Sequence, residues 1–497
     1  MKKFYRVLAG CSLALLLAAC SNSTSGEPKK AEKKTAEKPK VEEKFNKVVP
    51  VEDLEDRDYG GLTFKWAGPF RQIDPNASEV KEKWLERIQA LEKKWNFKFE
   101  PVEIPYDSMV GDYIRTTLAG DPVGDIVYVH AFNYYPAFPA NGIAYPVSDL
   151  NVVDFDNPKW VQSARRTSEY KGKTYSVRPG TMETVIVRDG IWWNKTQFQN
   201  LGLPNLYDIY EKGEWTWDKL FEVAEAATKD LDNDGKTDVF GLGADRLAFD
   251  LIYNNGAEAI KKTADGVDVD LNDPKIVEAL EYFQKVNKDH KGVFLQPKEE
   301  GGPVNVRDDF RDGRVLMVAQ DWWVSTSDLN GGRMKDEYGF IPFPAGPSNE
   351  HPEQPVSVGA DDSMEIMLGT AEKPKEKLEI WDEITNIGTA KDWDRWTREE
   401  YEVGANDAES VEYAMLMHKN VKTNLIYGFG ELNGIVNKLF KDIATGATTV
   451  QTGLEAVDPQ IKAALKDFHD NGVDLGVSEE EIQKTKEELK KKKEEGK

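Results

Sequence analysis

The sequence has 497 residues, with 65 Lys and Arg against 88 Asp and Glu and a formal net charge of −23 at pH 7. So acidic a surface repels nucleic acid and anionic lipid and favours neutral or cationic solutes. The two cysteines, Cys11 and Cys20, both belong to the N-terminal stretch, which excludes disulfides, thiolate nucleophiles and cysteine-type zinc sites from the rest of the chain.

Met1-Lys2-Lys3-Phe4-Tyr5-Arg6 leads into an apolar run through Leu8, Leu13, Leu15, Leu16 and Leu17, the layout of an export signal. The run closes on Leu17-Ala18-Ala19-Cys20, which resembles the lipobox of bacterial lipoproteins. Residues 1–19 are then a lipoprotein signal peptide and Cys20 the lipid-modified residue. Residues 20–44, mostly Ser, Thr, Lys, Glu, Ala and Pro, have too little to bury to offset their ordering entropy, and read as a flexible tether. No later segment supplies the roughly 20 consecutive apolar residues of a transmembrane helix.

From there the pattern predicts a strand at 61–66, an amphipathic helix at 80–95, a strand at 97–102, a helix at 108–119 and a strand at 125–129, Asp-Ile-Val-Tyr-Val. The last is a short apolar run suited to burial on both faces. Such alternation implies an α/β fold with an open parallel sheet covered by helices. A strand-like stretch at 184–187, Trp192-Trp193-Asn194-Lys195, a helix at 217–228 and a second alternating region reaching 339–344 predict a second lobe. The last twenty residues, mainly Glu and Lys, suit a solvated helix or a frayed tail equally. No period of 20 to 50 residues recurs, which argues against a solenoid, a propeller or a modular adhesin.

Several stretches together resemble the extracellular solute-binding proteins of carbohydrate ABC transporters, the family that includes maltose-binding protein. They are the lipobox, Asp125-Ile126-Val127, the segment 172–179, Trp193-Asn194-Lys195 with Phe198 and Gly202-Leu203, and Trp215-Thr216-Trp217-Asp218. To these add Phe310-Arg311-Asp312-Gly313-Arg314 followed by Trp322-Trp323, the return 340–344, and Thr449-Val450 before a terminal helix. The pattern departs at Trp192-Trp193-Asn194, where tyrosine is the commoner residue in that family, and the Lys-rich tether and the tail have no counterpart. The resemblance implies a two-lobed periplasmic-binding-protein-like fold with a ligand cleft. One lobe is expected from 45–180 and 345–400, the other from 181–344 and 401–476, with a tail at 477–497 and crossings near 178–183, 342–346 and 400–404. It further implies hinge closure on the solute and a monomeric receptor, lipid-anchored on the outer face of the cell membrane, that delivers a carbohydrate to ABC permease subunits.

A sugar pocket needs aromatic faces for the C–H patches of the ring and placed polar groups for its hydroxyls. Trp193 sits where the family's stacking aromatic lies, and Asp321, Trp322 and Trp323 match an aromatic wall of the second lobe. His130, Phe132 and Tyr134 follow a strand at its carboxyl end, where ligands of open α/β sheets bind, and Trp66 with Arg71 is a candidate on the same ground. A self-packed loop and an ordinary core are the competing readings of these positions. Trp84 and Trp95 fall in a helical pattern and read as core, and the scattered histidines give no metal spacing.

Asp230-Leu231-Asp232-Asn233-Asp234-Gly235-Lys236-Thr237-Asp238 reproduces the calcium loop of EF-hands, because a hard divalent ion takes several oxygens from one tight turn. Asp230, Asp232, Asp234, Lys236 through its carbonyl, and Asp238 are the expected ligands of a structural Ca2+. Gly241 replaces the bidentate Glu of position 12, and an Asx-rich surface turn would use the same residues. The competing functions are a secreted carbohydrate-active enzyme, for which no nucleophile, His motif or phosphate-binding loop is evident, and a receptor for a non-sugar polar solute.

Overall fold

The computed structural model describes residues 44–182, 186–264, 266–290, 293–295, 306–359, 363–473 and 475–495. The signal peptide, Cys20 and nearly all of the tether lie outside the described residues.

In chain order, β1 (Leu62–Gly68) leads to α1 (Glu79–Trp95), β2 (Phe97–Glu103), α2 (Met109–Leu118), β3 (Ile126–His130) and α3 (Gln162–Ser168). Helix α1 shows why these segments fold locally. Ser78 caps its first turn by accepting from the Lys81 N–H, and Val80, Trp84, Ile88, Leu91 and Trp95 bury one stripe. Asn96 ends it in a left-handed conformation, φ 50°. The chain then forms β4 (Gly190–Asn194), α4 (Trp217–Ala227), β5 (Leu242–Ala244), α5 (Leu247–Asn254), the hairpin β6 (Ile260–Thr263) and β7 (Gly266–Val269), α6 (Pro274–Asp289), β8 (Phe294–Leu295), β9 (Met317–Gln320) and β10 (Tyr338–Ile341). It closes with β11 (Ser357–Gly359), β12 (Ser363–Met367), α7 (Pro374–Ile384), α8 (Ala390–Gly404), α9 (Ala408–His418), β13 (Val421–Thr423), α10 (Gly430–Ala444), α11 (Val450–Asn471) and α12 (Glu479–Glu494).

Two sheets organise these elements. The first has the order β12-β3-β1-β2, with β1, β2 and β3 parallel and β12 antiparallel to β3. The second has the order β10-β4-β9-β5-β8. The late strand β12 thus joins the early β1-β2-β3 sheet, whereas the second sheet is drawn from residues 190–341 alone and the late helix α9 packs on its β10 edge, as expected for interleaved lobes. In the first lobe Trp66, Trp84, Phe99 and Trp381 interlock with ring centroids 5.1 to 6.4 Å apart, a large apolar burial.

The crossings differ in part from expectation. Ile186 and Val187 are irregular rather than part of a strand, because their backbone groups bond to Tyr401 and Trp322 instead of a ladder; residues 184 and 185 lie outside the described residues. Residues 345–356, expected in the first lobe, pack on the second. The Gly346 N–H donates to the Asn254 carbonyl, Ser348 to the Asn255 side chain, and Lys275 pairs with Glu350. The return therefore falls later, from β11 into β12. Arg188 N–H donates to Ser357 Oγ at 2.6 Å and Ser357 Oγ to the Arg188 carbonyl, lacing the first two crossings together. The third is α8 itself: Trp393 and Trp396 lie in the first lobe's core, while Tyr401 packs on Trp322 at 5.0 Å. The tail, for which a helix and a frayed end were open, is α12, lying against α2 with Ile482 and Leu489 half-buried.

Candidate functional site

The register places Gly68, Glu103 and His130 at one edge of the first sheet, with Ser363 opposite His130. In the second sheet Ala244, Gln320 and Ile341 share an edge with Gly190. Chain crossings leave and enter at these two carboxyl edges. Among the described residues they also touch: Gly428 lies so close to the Tyr135 carbonyl that a Cβ would sit 1.7 Å from its oxygen, and the neighbouring Tyr427 ring packs on Phe249 of α5 at 5.6 Å.

The first lobe's edge is aromatic. His130 stacks on Phe132 at 5.2 Å with 9° between planes, meets Tyr106 and Tyr128 edge-on, and its Nε2 lies 3.2 Å from the Tyr128 hydroxyl. Tyr106 is 47% exposed. Glu103 accepts from the backbone N–H groups of Phe70 and Arg71 at 2.9 Å each, and so fixes the loop after β1. That loop holds Phe70 at φ 60°, with its side chain 77% exposed. A bulky residue in left-handed backbone with an apolar face in water is retained against its own cost.

The second lobe's edge is charged. Arg246, following β5, donates through Nη2 to Asp189 at 2.5 Å and to Asp321 at 2.8 Å. Asp321 also accepts from Trp323 Nε1 at 2.9 Å, and Arg307 lies 4.9 Å over the Trp323 ring. Gln320 donates to Asp245 at 2.8 Å. Asp245 is exposed at this edge, and the protein around it raises its carboxyl pKa by desolvation, a shift that the nearby Arg246 opposes. Burial likewise pushes up the Tyr427 hydroxyl beside this cluster.

Of the nine binding residues expected from sequence, His130, Phe132, Asp321 and Trp323 stand on these edges. The others do not. Trp66 is packed on all sides and its indole N–H goes to Glu365. Arg71 turns inward, 3.1 Å from Glu365 and 4.0 Å over Trp66, and forms a buried ion pair. Tyr134 is enclosed, its hydroxyl on the Ser168 carbonyl. Trp193 faces Phe198 and Tyr207, and Trp322 packs among Trp192, Phe340 and Tyr401. The reason for Trp322 is local. Asp321 and Trp323 bond to each other across it, which turns the intervening indole into the core. The sequence reading does not single out Phe70, Tyr106, Tyr128, Asp189, Asp245, Arg246 or Tyr427. The carboxyl-end argument applied to β2 and β5 would have found Tyr106 and Arg246; nothing local marks Tyr427.

In the loop 230–238, carboxylate oxygens of Asp230, Asp232 and Asp238 lie within 4.8 Å of one another. Asn233 and Gly235 adopt φ 60° and 83°. Asp234 pairs instead with Lys236 at 2.8 Å.

A family model described as bacterial extracellular solute-binding protein matches residues 86–364. No curated protein matches the sequence. Among solved structures, the chain is similar to a cyclic alpha-maltosyl-1,6-maltose binding protein from Arthrobacter globiformis (TM-score 0.58, 13% identity, 82% of this chain and 100% of that one). It is also similar to an ABC substrate-binding protein from Listeria monocytogenes in complex with cycloalternan (0.54, 15%, 83% and 100%). A third is UgpB from Mycobacterium tuberculosis in complex with glycerophosphocholine (0.54, 15%, 82% and 98%). At these identities the likeness establishes the two-lobed fold.

Proposed function

This chain belongs to the bacterial extracellular solute-binding protein family, and we propose that it captures a saccharide between its lobes and delivers it to the permease subunits of an ABC importer. The observation that carries this reading is the pairing of edges. Tyr106, His130, Phe132 and the exposed Phe70 offer apolar faces, and Asp245, Arg246, Asp321 and Trp323 offer hydrogen-bonding groups. A pyranose asks for both. Closure would desolvate the sugar between them, so that polar contacts strengthen as water leaves. Binding, not turnover, is the activity, and the receptor acts as a monomer. The lengths and sugars of the relatives' ligands are those proteins' own, and a non-sugar polar solute is the alternative. Differential scanning fluorimetry of residues 45–497 against mono- and oligosaccharides is the test, since a ligand of the native state raises the midpoint. A saccharide that raises it and is recovered intact supports the reading; no shift from any sugar transfers it to other solutes, and breakdown of a bound sugar to the enzyme class.

The same reading includes an anchor at Cys20, which loss of palmitate labelling and of membrane retention in Cys20→Ala would test. It also includes a structural Ca2+ held by Asp230, Asp232, Asp238 and the Lys236 carbonyl, with Asp234 turning in from Lys236. Three clustered carboxylates and two left-handed residues suit a hard cation in a tight loop. Chelator should lower the midpoint, and added Ca2+ restore it.

A further inference from the structure

Arg246 is surrounded by more carboxylates than it can neutralise. Asp189 precedes β4, Asp321 follows β9, and Asp250 lies one helical turn after Arg246 on α5; all three are buried. No N–H or O–H of the described residues reaches either carboxyl oxygen of Asp250, yet its carboxyl is within hydrogen-bonding reach of the Asp189 carboxyl. Two carboxyl groups bond to each other only through a proton. A buried carboxylate without a donor, beside a second carboxylate, is otherwise among the costliest groups a protein can hold.

We infer that Asp250 is a positioning residue held as the carboxylic acid, whose proton bridges to Asp189 and lets Asp189 and Asp321 together fix Arg246 at the binding edge. The inference rests on the solute-binding reading of that edge and adds its pH dependence. Asp189 is the hinge-side member: it sits at φ 44°, directly after Arg188, whose backbone is laced to Ser357. The groups facing the pair are Arg246 on α5, Asp321 after β9 and Tyr427 on the 425–428 turn, with Asp245 and Arg307 beyond Arg246. One cation and one shared proton thus serve the three carboxyl groups of Asp189, Asp321 and Asp250. If Asp250 ionised, Asp189 would be pushed from Arg246, disturbing both the guanidinium and the crossing.

Burial raises both carboxyl pKa values, Asp250 more strongly because Asp189 also repels its charge. An unfolded Asp loses its proton near pH 4. The folded state therefore holds an extra proton above that pH, and stability and affinity fall as pH rises through the folded titration.

The test is Asp250→Asn, whose amide N–H donates to Asp189 without titrating. In wild type, affinity for the saccharide giving the largest midpoint shift should weaken by about tenfold, the equivalent of about one pKa unit of differential interaction, between pH 5.5 and 9. In Asp250→Asn it should stay flat. Equal slopes in the two proteins overturn the inference. A readout independent of solute is the infrared carbonyl stretch of a protonated carboxyl: present in wild type at neutral pH and diminished in Asp250→Asn if the inference holds, absent from wild type or unchanged in Asp250→Asn if it does not. Should no saccharide bind, the receptor reading fails while loss of this band in Asp250→Asn still decides the proton's place; should that variant not fold, a band that survives Glu365→Gln and Asp245→Asn supports the inference and one lost with either overturns it.

Discussion

Two arginines stand at comparable places, one at the carboxyl edge of each sheet, and their surroundings give them different work. Arg71 has one carboxylate, Glu365, and an indole face; both charged side chains are only 1% exposed, and a second buried cation, Arg178, also acts on Glu365. Arg246 has two direct carboxylate partners and a third nearby, and its side chain remains 21% exposed. A fully buried carboxylate shared by two cations contributes shape to the core, whereas a cation held by surplus acid at an accessible edge can still offer a donor to a solute's oxygen. Residue type does not distinguish them; the local charge balance and residual exposure do.

The largest effect separates structure from binding. Arg71→Met, which leaves buried Glu365 with only Arg178 and the Trp66 indole N–H, should lower unfolding free energy by about 3 kcal/mol, and Trp322→Ala by a similar amount through the cavity it leaves. Folded protein of either variant should keep its solute affinity, as chemical denaturation and calorimetric titration would show. A lost affinity at unchanged stability would make Arg71 a solute contact. Arg246→Met should do the reverse in part, with affinity falling by about 2 kcal/mol or more as at a binding hot spot. Its stability loss should be larger at pH 8 than at pH 5, because the stranded carboxylates take up protons as pH falls; a loss independent of pH would break the contrast. Tyr106→Ala and Phe132→Ala should each weaken binding by about 1 kcal/mol, the value of one aromatic contact, with little change in midpoint because Tyr106 is largely exposed and Phe132 only half-buried. The smallest effect is expected far from both edges, where chelation should lower the midpoint slightly and leave affinity unchanged.

A further pH effect lies on the acid side. His418 is enclosed beside Tyr401, and burial holds its imidazole down at about 4. Because its folded pKa is below the unfolded value, its contribution is present above pH 6.5 and is lost as pH falls toward 4, at most about 3 kcal/mol. His418→Gln should flatten that acid limb in denaturation experiments.

The alternating first lobe was legible almost strand by strand, because short apolar runs such as 126–130 and the stripe of α1 carry their periodicity locally. The second crossing was not, because residues 345–356 are placed by partners distant in sequence, the Asn254 carbonyl and the side chains of Asn255 and Lys275. The site was half legible for a similar reason. His130 and Phe132 follow a strand that the pattern reveals, and Trp323 follows another. Whether Trp322 or Trp323 faces outward depends on the Asp321 bond, and whether Arg71 turns to Glu365 depends on a strand nearly three hundred residues later. Trp66 and Trp193 attracted attention as aromatics that suit sugars, but the same surface suits a core, and here the core has them.

The most direct test of a solute held between the two edges is hydrogen–deuterium exchange with and without the best saccharide from the panel. Protection should rise together at 104–108 and 128–133 in the first lobe and at 244–250 and 320–324 in the second. Protection confined to one lobe, or arising only around α12 or the 230–238 loop, would contradict a cleft-bound solute.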